Sequence, residues 1–224
     1  MKVKIAIVED DISICEELEI ILRNELYDVF IVREFDSVPQ QIKGENPDLI
    51  LLDLALPGID GLQICKEIRK ESEVPIIFIT GQNSSMNELM CMTMGGDDFI
   101  AKPYEAPILL ARIKAVLKRT SAAKEDSSIL YRDGVKLNIL SATMGYKNNS
   151  IDLTHNELKI LHYLFLKQGE YVSREDLMDF LWNNSVFIDD NTLSVHVSRI
   201  RKKLKEIHAP EIIQTKRSLG YRCG

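Results

Sequence analysis

Residues 1–120 alternate short apolar runs with stretches of helical periodicity, and this alternation restricts the fold more than any other feature of the chain. The runs are residues 5–8, 29–32, 49–52, 76–80 and 99–101. In "LILLDLALPGIDG", residues 49–61, four consecutive apolar residues lead straight into Asp53. An unbroken apolar run marks a strand buried on both faces, the pattern of a parallel sheet. Between the first two runs Cys15, Leu18, Ile21, Leu22 and Leu26 recur at three and four, as one face of a helix does. Leu62, Cys65 and Ile68 repeat the pattern after the third run, and Met86, Leu89 and Met90 after the fourth. Residues 107–119 close the series with Ile108, Leu109, Ile113, Val116 and Leu117. Five strand–helix units predict an α/β domain built on a doubly wound five-stranded parallel sheet. Ligands bind such sheets in the crevice beyond the C-terminal strand ends, where Asp53 falls.

The pattern changes after "TSAAKEDSS", a small, polar stretch whose residues 121–128 read as a linker. Residues 129–224 show short strands with turn signals at Asp133-Gly134 and Asn148-Asn149, followed by helices. "THNE", residues 154–157, fits a capping box, and "SRED", residues 173–176, starts a second helix similarly. A third helix follows "DDNT", and "IIQTKRSLGYRC" reads as two strands around a basic turn. Charge divides at the same joint. Residues 1–120 hold 13 Lys+Arg against 21 Asp+Glu, whereas residues 192–222 hold 8 against 2. An acidic front half and a basic tail region point to two functions.

Several classes are excluded on composition. No stretch approaches the roughly 18 apolar residues of a membrane span, and the apolar run near the N-terminus is too short for a signal peptide, so no membrane association and a cytoplasmic location are expected. Cys15, Cys65, Cys91 and Cys223 are scattered and read as reduced thiols. With His155, His162, His196 and His208 they form no zinc-ligand spacing.

In a doubly wound sheet the strand ends converge. The first delivers Glu9, Asp10 and Asp11, the third Asp53, the fourth Thr80, and the fifth is followed by Lys102. Carboxylates crowded together oppose ionisation unless they share a cation, and hard oxygen ligands suit Mg²⁺. A lysine and a hydroxyl at the rim complete a cradle for a phosphoryl group, and an aspartate can itself be the nucleophile. There is no GxxxxGK[ST] loop, and Ala55 stands where aspartate-nucleophile phosphatases carry a second Asp.

"IVEDD", "LLDLALPGIDG", "IIFIT" and "GGDDFIAKPY" resemble a bacterial response-regulator receiver domain across residues 1–120. The resemblance implies that Asp53 is the phosphoacceptor, that Glu9, Asp10 and Asp53 bind Mg²⁺ with the backbone carbonyl of Ala55, and that Asp11 only starts the first helix. It further implies that Thr80 and Lys102 hold the phosphoryl group and that Phe99 is the aromatic switch. Such proteins pair on phosphorylation through the fourth helix, fifth strand and fifth helix. Asp97, Asp98, Arg112 and Arg119 would then form ion pairs in a homodimer interface. Met90 and Ile108 stand where the family often has a charged pair; they are either ordinary core residues or the centre of a greasier interface.

Wound at about 100° per residue, "DDNTLSVHVSRIRKKL", residues 189–204, aligns Leu193, Val197, Ile200 and Leu204 as a core stripe. Asn191, Thr192, Val195, Ser198, Arg199 and Lys202 face away, a mixture suited to a major groove. His196 and Arg201 flank that face and suit phosphates, while Thr215, Lys216 and Arg217 in the terminal turn suit the neighbouring minor groove. With "LTHNELKIL", "VSREDL", "LW" and "TKRSLGYR", residues 129–224 resemble the α+β winged-helix DNA-binding domain of the OmpR/PhoB type. Within that family the chain is most similar to the branch controlling bacitracin- and cationic-peptide-responsive exporters, with glycopeptide-resistance regulators close by.

The resemblance implies a two-component transcription regulator phosphorylated by a sensor histidine kinase, binding double-stranded promoter DNA as a homodimer, with RNA polymerase as a further partner. It implies no enzyme beyond Mg²⁺-dependent handling of its own phosphoryl group. Two alternatives stay open on the residues. One is a phosphotransfer or phosphatase enzyme whose basic domain docks a protein; the other is a regulator that works unphosphorylated.

Overall fold

The computed structural model describes residues 3–81, 85–120, 129–167, 169–182 and 190–224. They fall into two compact units, Met1–Ser127 and Ser128–Gly224; the expected linker, 121–128, lies outside the described residues.

The first unit runs β1 (Lys4–Val8), α1 (Ile12–Asn24), β2 (Asp28–Ile31), a 3-10 turn at Phe35–Ser37, α2 (Val38–Glu45) and β3 (Leu49–Leu52). A two-rung hairpin follows, β4 (Ala55–Leu56) with β5 (Ile59–Asp60), and then α3 (Gly61–Arg69), β6 (Ile76–Thr80), α4 (Ser85–Thr93), β7 (Asp98–Ala101) and α5 (Ala106–Thr120). The sheet order is β2-β1-β3-β6-β7, with each neighbouring pair parallel. All four residues of β3 are buried, as an apolar run in a sheet covered on both faces requires.

The starts of α1 and α3 are set by carboxylates. Asp11 caps α1 by accepting the amides of Ser13 and Ile14, and Asp60 caps α3 by accepting that of Leu62. The sequence periodicities do not mark α2, which buries only Val38 and Ile42 and carries Pro39 in its first turn and Gly44 near its end. Such a helix is held by its neighbours more than by its own propensity.

The second unit opens with four antiparallel strands, β8 (Ile129–Arg132), β9 (Val135–Asn138), β10 (Thr143–Tyr146) and β11 (Asn149–Asp152), paired in chain order. The β8–β9 turn uses Asp133 and Gly134 at positive φ. Three helices follow, α6 (His155–Leu166), α7 (Arg174–Trp182) and α8 (Asp190–Glu206), and then the hairpin β12 (Ile213–Lys216) with β13 (Gly220–Cys223). Tyr221 of β13 exchanges backbone hydrogen bonds with Val172, which anchors the hairpin ahead of α7. This is the winged-helix arrangement expected, preceded by a four-stranded sheet. Among the described residues no helix is long and apolar enough to cross a membrane.

The capping box at α6 does more than start a helix. Glu157, buried, accepts the Thr154 amide at 2.8 Å and the Lys203 ammonium of α8 at 2.7 Å. Burial works against its charge, but Lys203 and Thr154 outweigh that and hold the carboxyl below its ordinary value of 4.5. A carboxyl lowered on folding adds stability above its unfolded pKa and loses it as pH falls through the folded one. Glu157→Gln is expected to cost this unit about 2 kcal/mol near neutrality, and the difference from wild type should shrink as pH falls below 4.5. Urea denaturation followed by the fluorescence of the single tryptophan, Trp182, measures both.

Candidate functional site

Three of the strand ends meet at one ammonium group. Lys102, just past β7, donates to Glu9 Oε2 at 2.5 Å and to Asp53 Oδ2 at 2.6 Å. Glu9 and Asp53, which end β1 and β3, are 5% and 6% exposed, so their charges are compensated chiefly by this lysine. Burial and the nearby Asp53 carboxylate push the Glu9 carboxyl above its ordinary pKa, with Lys102 opposing them. Burial works against the Lys102 charge too, but its hydrogen bonds to Asp53 and Glu9 outweigh it and raise its pKa.

Asp10 lies at the exposed edge of the same site, and one carboxylate oxygen from each of Glu9, Asp10 and Asp53 lies within 4.8 Å of the others. An octahedral dication with bonds of about 2.1 Å spaces its ligand oxygens about 3 to 4 Å apart. The cluster therefore has the size and the hard-oxygen chemistry for one. Asp11 is spent on the α1 cap and stands outside the cluster. Ala55 meets the site through its backbone N–H, which donates to Asp53 Oδ1 at 3.2 Å. Thr80 ends β6 fully buried, and its carbonyl accepts the Lys102 amide at 2.8 Å. Phe99 is half-buried on β7 and packs against the hydrophobic core.

The "PGIDG" turn makes room for this site. Gly58 adopts φ +80°, which favours glycine. Gly61 packs so closely that a Cβ there would stand 2.2 Å from the Asp53 carbonyl oxygen.

The expected pairing face differs from its reading in sequence. Arg112 binds Asp98 at 2.8 Å within the same chain, and Arg119 reaches the Asp97 carbonyl at 3.4 Å. The Asp97 side chain is held inside the unit by Arg69 of α3 at 3.0 Å and by the Ile76 amide at 2.9 Å. Arg69 carried no signal in sequence for this role, because the Gly95 carbonyl and the Asp97 carboxylate that it binds lie more than twenty residues away. Met90 and Ile108 are 40% and 49% exposed, which removes the reading of them as core residues.

On α8, Leu193, Val197, Ile200 and Leu204 are buried, while Val195, Ser198, Arg199 and Lys202 are exposed and Thr192 is half-buried. The Asn191 side chain lies outside the described residues. Two residues read as free phosphate contacts are engaged otherwise. His196 is half-buried 3.5 Å from Asn156 Nδ2, with Nδ1 enclosed and without a hydrogen-bond partner. Burial, and Arg199 beside it, lower its pKa from the ordinary value. Arg201 donates to the Ile213 carbonyl at 2.9 Å and to Thr215 Oγ1 at 2.7 Å, tying α8 to the hairpin. Lys216 and Arg217 remain exposed at the hairpin tip. Sequence reasoning missed Arg174, which joins Tyr221 Oη at 2.6 Å and Ser194 Oγ at 2.9 Å; "SRED" had been read only as a helix start.

Comparison with known proteins agrees with this geometry. Residues 5–114 match the family model described as response regulator receiver domain, and residues 148–223 the model described as transcriptional regulatory protein, C terminal. The chain is 39% identical to transcriptional regulatory protein YxdJ of Bacillus subtilis, over 98% of this chain and 97% of that one. It is 37% identical to sensory transduction protein BceR of Halalkalibacterium halodurans, over 97% and 95%. The BeF3-activated N-terminal receiver domain of Klebsiella pneumoniae RstA is similar at 36% identity and TM-score 0.50, covering 51% of this chain and 98% of that domain.

Gly61 offers a direct check on how the carboxylate is held. Gly61→Ala forces the Asp53 backbone to move and is expected to destabilise the first unit by about 2 kcal/mol, read by calorimetry. An unchanged transition would mean that the turn yields without disturbing Asp53.

Proposed function

This chain belongs to the response regulators that join a receiver domain to a transcriptional regulatory domain, and from that premise we propose that Asp53 is its phosphoacceptor and α8 its DNA-reading helix. The protein is a response regulator acting on transcription. The observation that carries the assignment of the site is Lys102 bound at once to Glu9 and Asp53.

An Asp53 carboxylate oxygen attacks the phosphorus of a phosphohistidine on a sensor kinase, and the imidazole leaves. Glu9, Asp10, Asp53 and the Ala55 backbone would hold Mg²⁺, which would supply positive charge to the phosphoryl oxygens. Lys102 shifts from a carboxylate partner to the new phosphoryl oxygens, which bring about −1.5 to −2 charges in the serine case. The Thr80 hydroxyl turns toward the same oxygens, and Phe99 follows into the space it leaves. The α4–β7–α5 surface then pairs with a second copy. Asp98–Arg112 pairs closed within one chain exchange partners there, and Met90 and Ile108 pack across the centre.

At DNA, Arg199, Val195 and Ser198 meet base edges with Asn191 and Thr192, Lys202 meets phosphates, and Lys216 and Arg217 reach the neighbouring minor groove. Arg201 with Thr215 positions the hairpin against α8. His196 supports the helix from behind. The partners are a sensor histidine kinase, promoter DNA and RNA polymerase, in the cytoplasm. Likeness to proteins named BceR supports placement in the exporter-controlling branch, with antimicrobial-peptide or antibiotic resistance genes as targets.

A small acyl phosphate with Mg²⁺ is expected to add one phosphoryl group to the protein, seen by intact-mass measurement, and Asp53→Asn to abolish it. Modification of the variant to the same extent would refute the assignment. Arg199→Ala should weaken binding to a promoter fragment by about tenfold or more and relax sequence preference. Lys202→Ala should weaken all sequences alike and reduce the salt slope by about one. Fluorescence anisotropy across a salt series separates them; if neither variant moves binding, α8 is not the reading helix.

A further inference from the structure

Sulfur in this protein is protected where it is usually reactive and open where it is usually protected. All four cysteines, Cys15, Cys65, Cys91 and Cys223, are free and buried. Burial also raises each thiol's pKa, to about 11 for Cys91 and about 12 for Cys223. Thiolate is the form an oxidant attacks, so these groups are poor targets at neutral pH.

Methionine shows the reverse. Of seven in the chain, Met86, Met90, Met92 and Met94 fall within nine consecutive residues, and all four are between 40% and 63% exposed. Met144 is fully buried and Met178 half-buried, so among the described residues exposed methionine occurs only here. Met86 and Met90, four apart on α4, point within about 40° of each other, beside Leu89, which is 61% exposed. Met90 and, on α5, exposed Ile108 are apolar residues of the proposed pairing face, and Met86 and Leu89 share α4 with Met90. Large exposed apolar patches mark interaction sites.

We propose that the exposed thioethers of α4 and of Met94 just past its end are an oxidant-modified site, where a hydroperoxide converts methionine to sulfoxide and so opposes pairing with a second copy. With hydrogen peroxide, the sulfur lone pair attacks one oxygen and an S–O bond forms as the O–O bond breaks. The proton on the transferred oxygen passes to the departing hydroxide, giving water. Sulfur is oxidised by two electrons and the peroxide is reduced by two. The product places a strong hydrogen-bond acceptor on a face that must become dry, and a buried acceptor without a partner is unfavourable. Sulfoxide reductases restore the thioether, so the change is reversible. The idea rests on the reading of the α4–β7–α5 surface as the pairing face.

The test uses the full chain treated with hydrogen peroxide, peptide mass spectrometry to locate added oxygen, and sedimentation of the phosphorylated protein. Oxygen is expected on Met86, Met90, Met92 and Met94 before any cysteine. The dimer dissociation constant should rise about tenfold or more and recover after sulfoxide reductase treatment. In a protein carrying Met86→Leu, Met90→Leu, Met92→Leu and Met94→Leu, peroxide should leave that variant's own dimer dissociation constant, whatever its value, unchanged. Cysteine oxidation in advance of these methionines, or full α4 sulfoxidation with pairing unchanged, would overturn the proposal. If the untreated phosphorylated protein does not pair at all, the pairing face itself is wrong and the proposal falls with it.

Discussion

The ammonium of Lys102 between Glu9 and Asp53 is the interaction on which the first unit's chemistry depends. Sheet order makes it so. Strands β1 and β3 are neighbours, which sets two buried carboxylates side by side, and such a pair resists double ionisation without a cation. The cation comes from beyond β7, at the edge of the sheet, so it must reach past β6, the strand that ends in Thr80. In the proposed phosphorylation, charge added at Asp53 acts through Lys102 and Thr80 on the two strands next to the face proposed for pairing, a route that strand order and one long side chain would supply.

The second unit divides its cations by task. Lys203 is committed to Glu157 and Arg201 to the hairpin, and Arg174 braces α7 against α8 and Tyr221. Arg199, Lys202, Lys216 and Arg217 are left exposed. A recognition surface needs both groups. Exposed cations attract a polyanion from any direction, and only a helix and hairpin held in fixed relation turn that attraction into register.

Much of this was legible in residue order, because it rests on local patterns. Continuous apolar runs located the parallel strands, three-four periodicity located most helices, and the stripe from Leu193 to Leu204 named the buried side of α8 correctly. What escaped was decided by partners distant in the chain. Nothing near Arg201 or His196 shows that one binds Thr215 and the other lies half-buried beside Asn156. Asp97 looked free for a second copy until Arg69 and the Ile76 amide were seen to hold it. Met90 and Ile108 carried two readings, since apolar residues at helical spacing look alike in core and interface, and only their exposure decides. The weakly amphipathic α2 left too little periodicity to be marked.

The proposed control of DNA binding by the state of Asp53 spans more than a hundred residue positions. It is tested most directly by footprinting the full-length protein on DNA upstream of its own gene neighbourhood, with and without a small phosphodonor and Mg²⁺. The account predicts protection of two spaced half-sites at markedly lower protein concentration after phosphorylation. Identical protection at the same concentration in both states would contradict it.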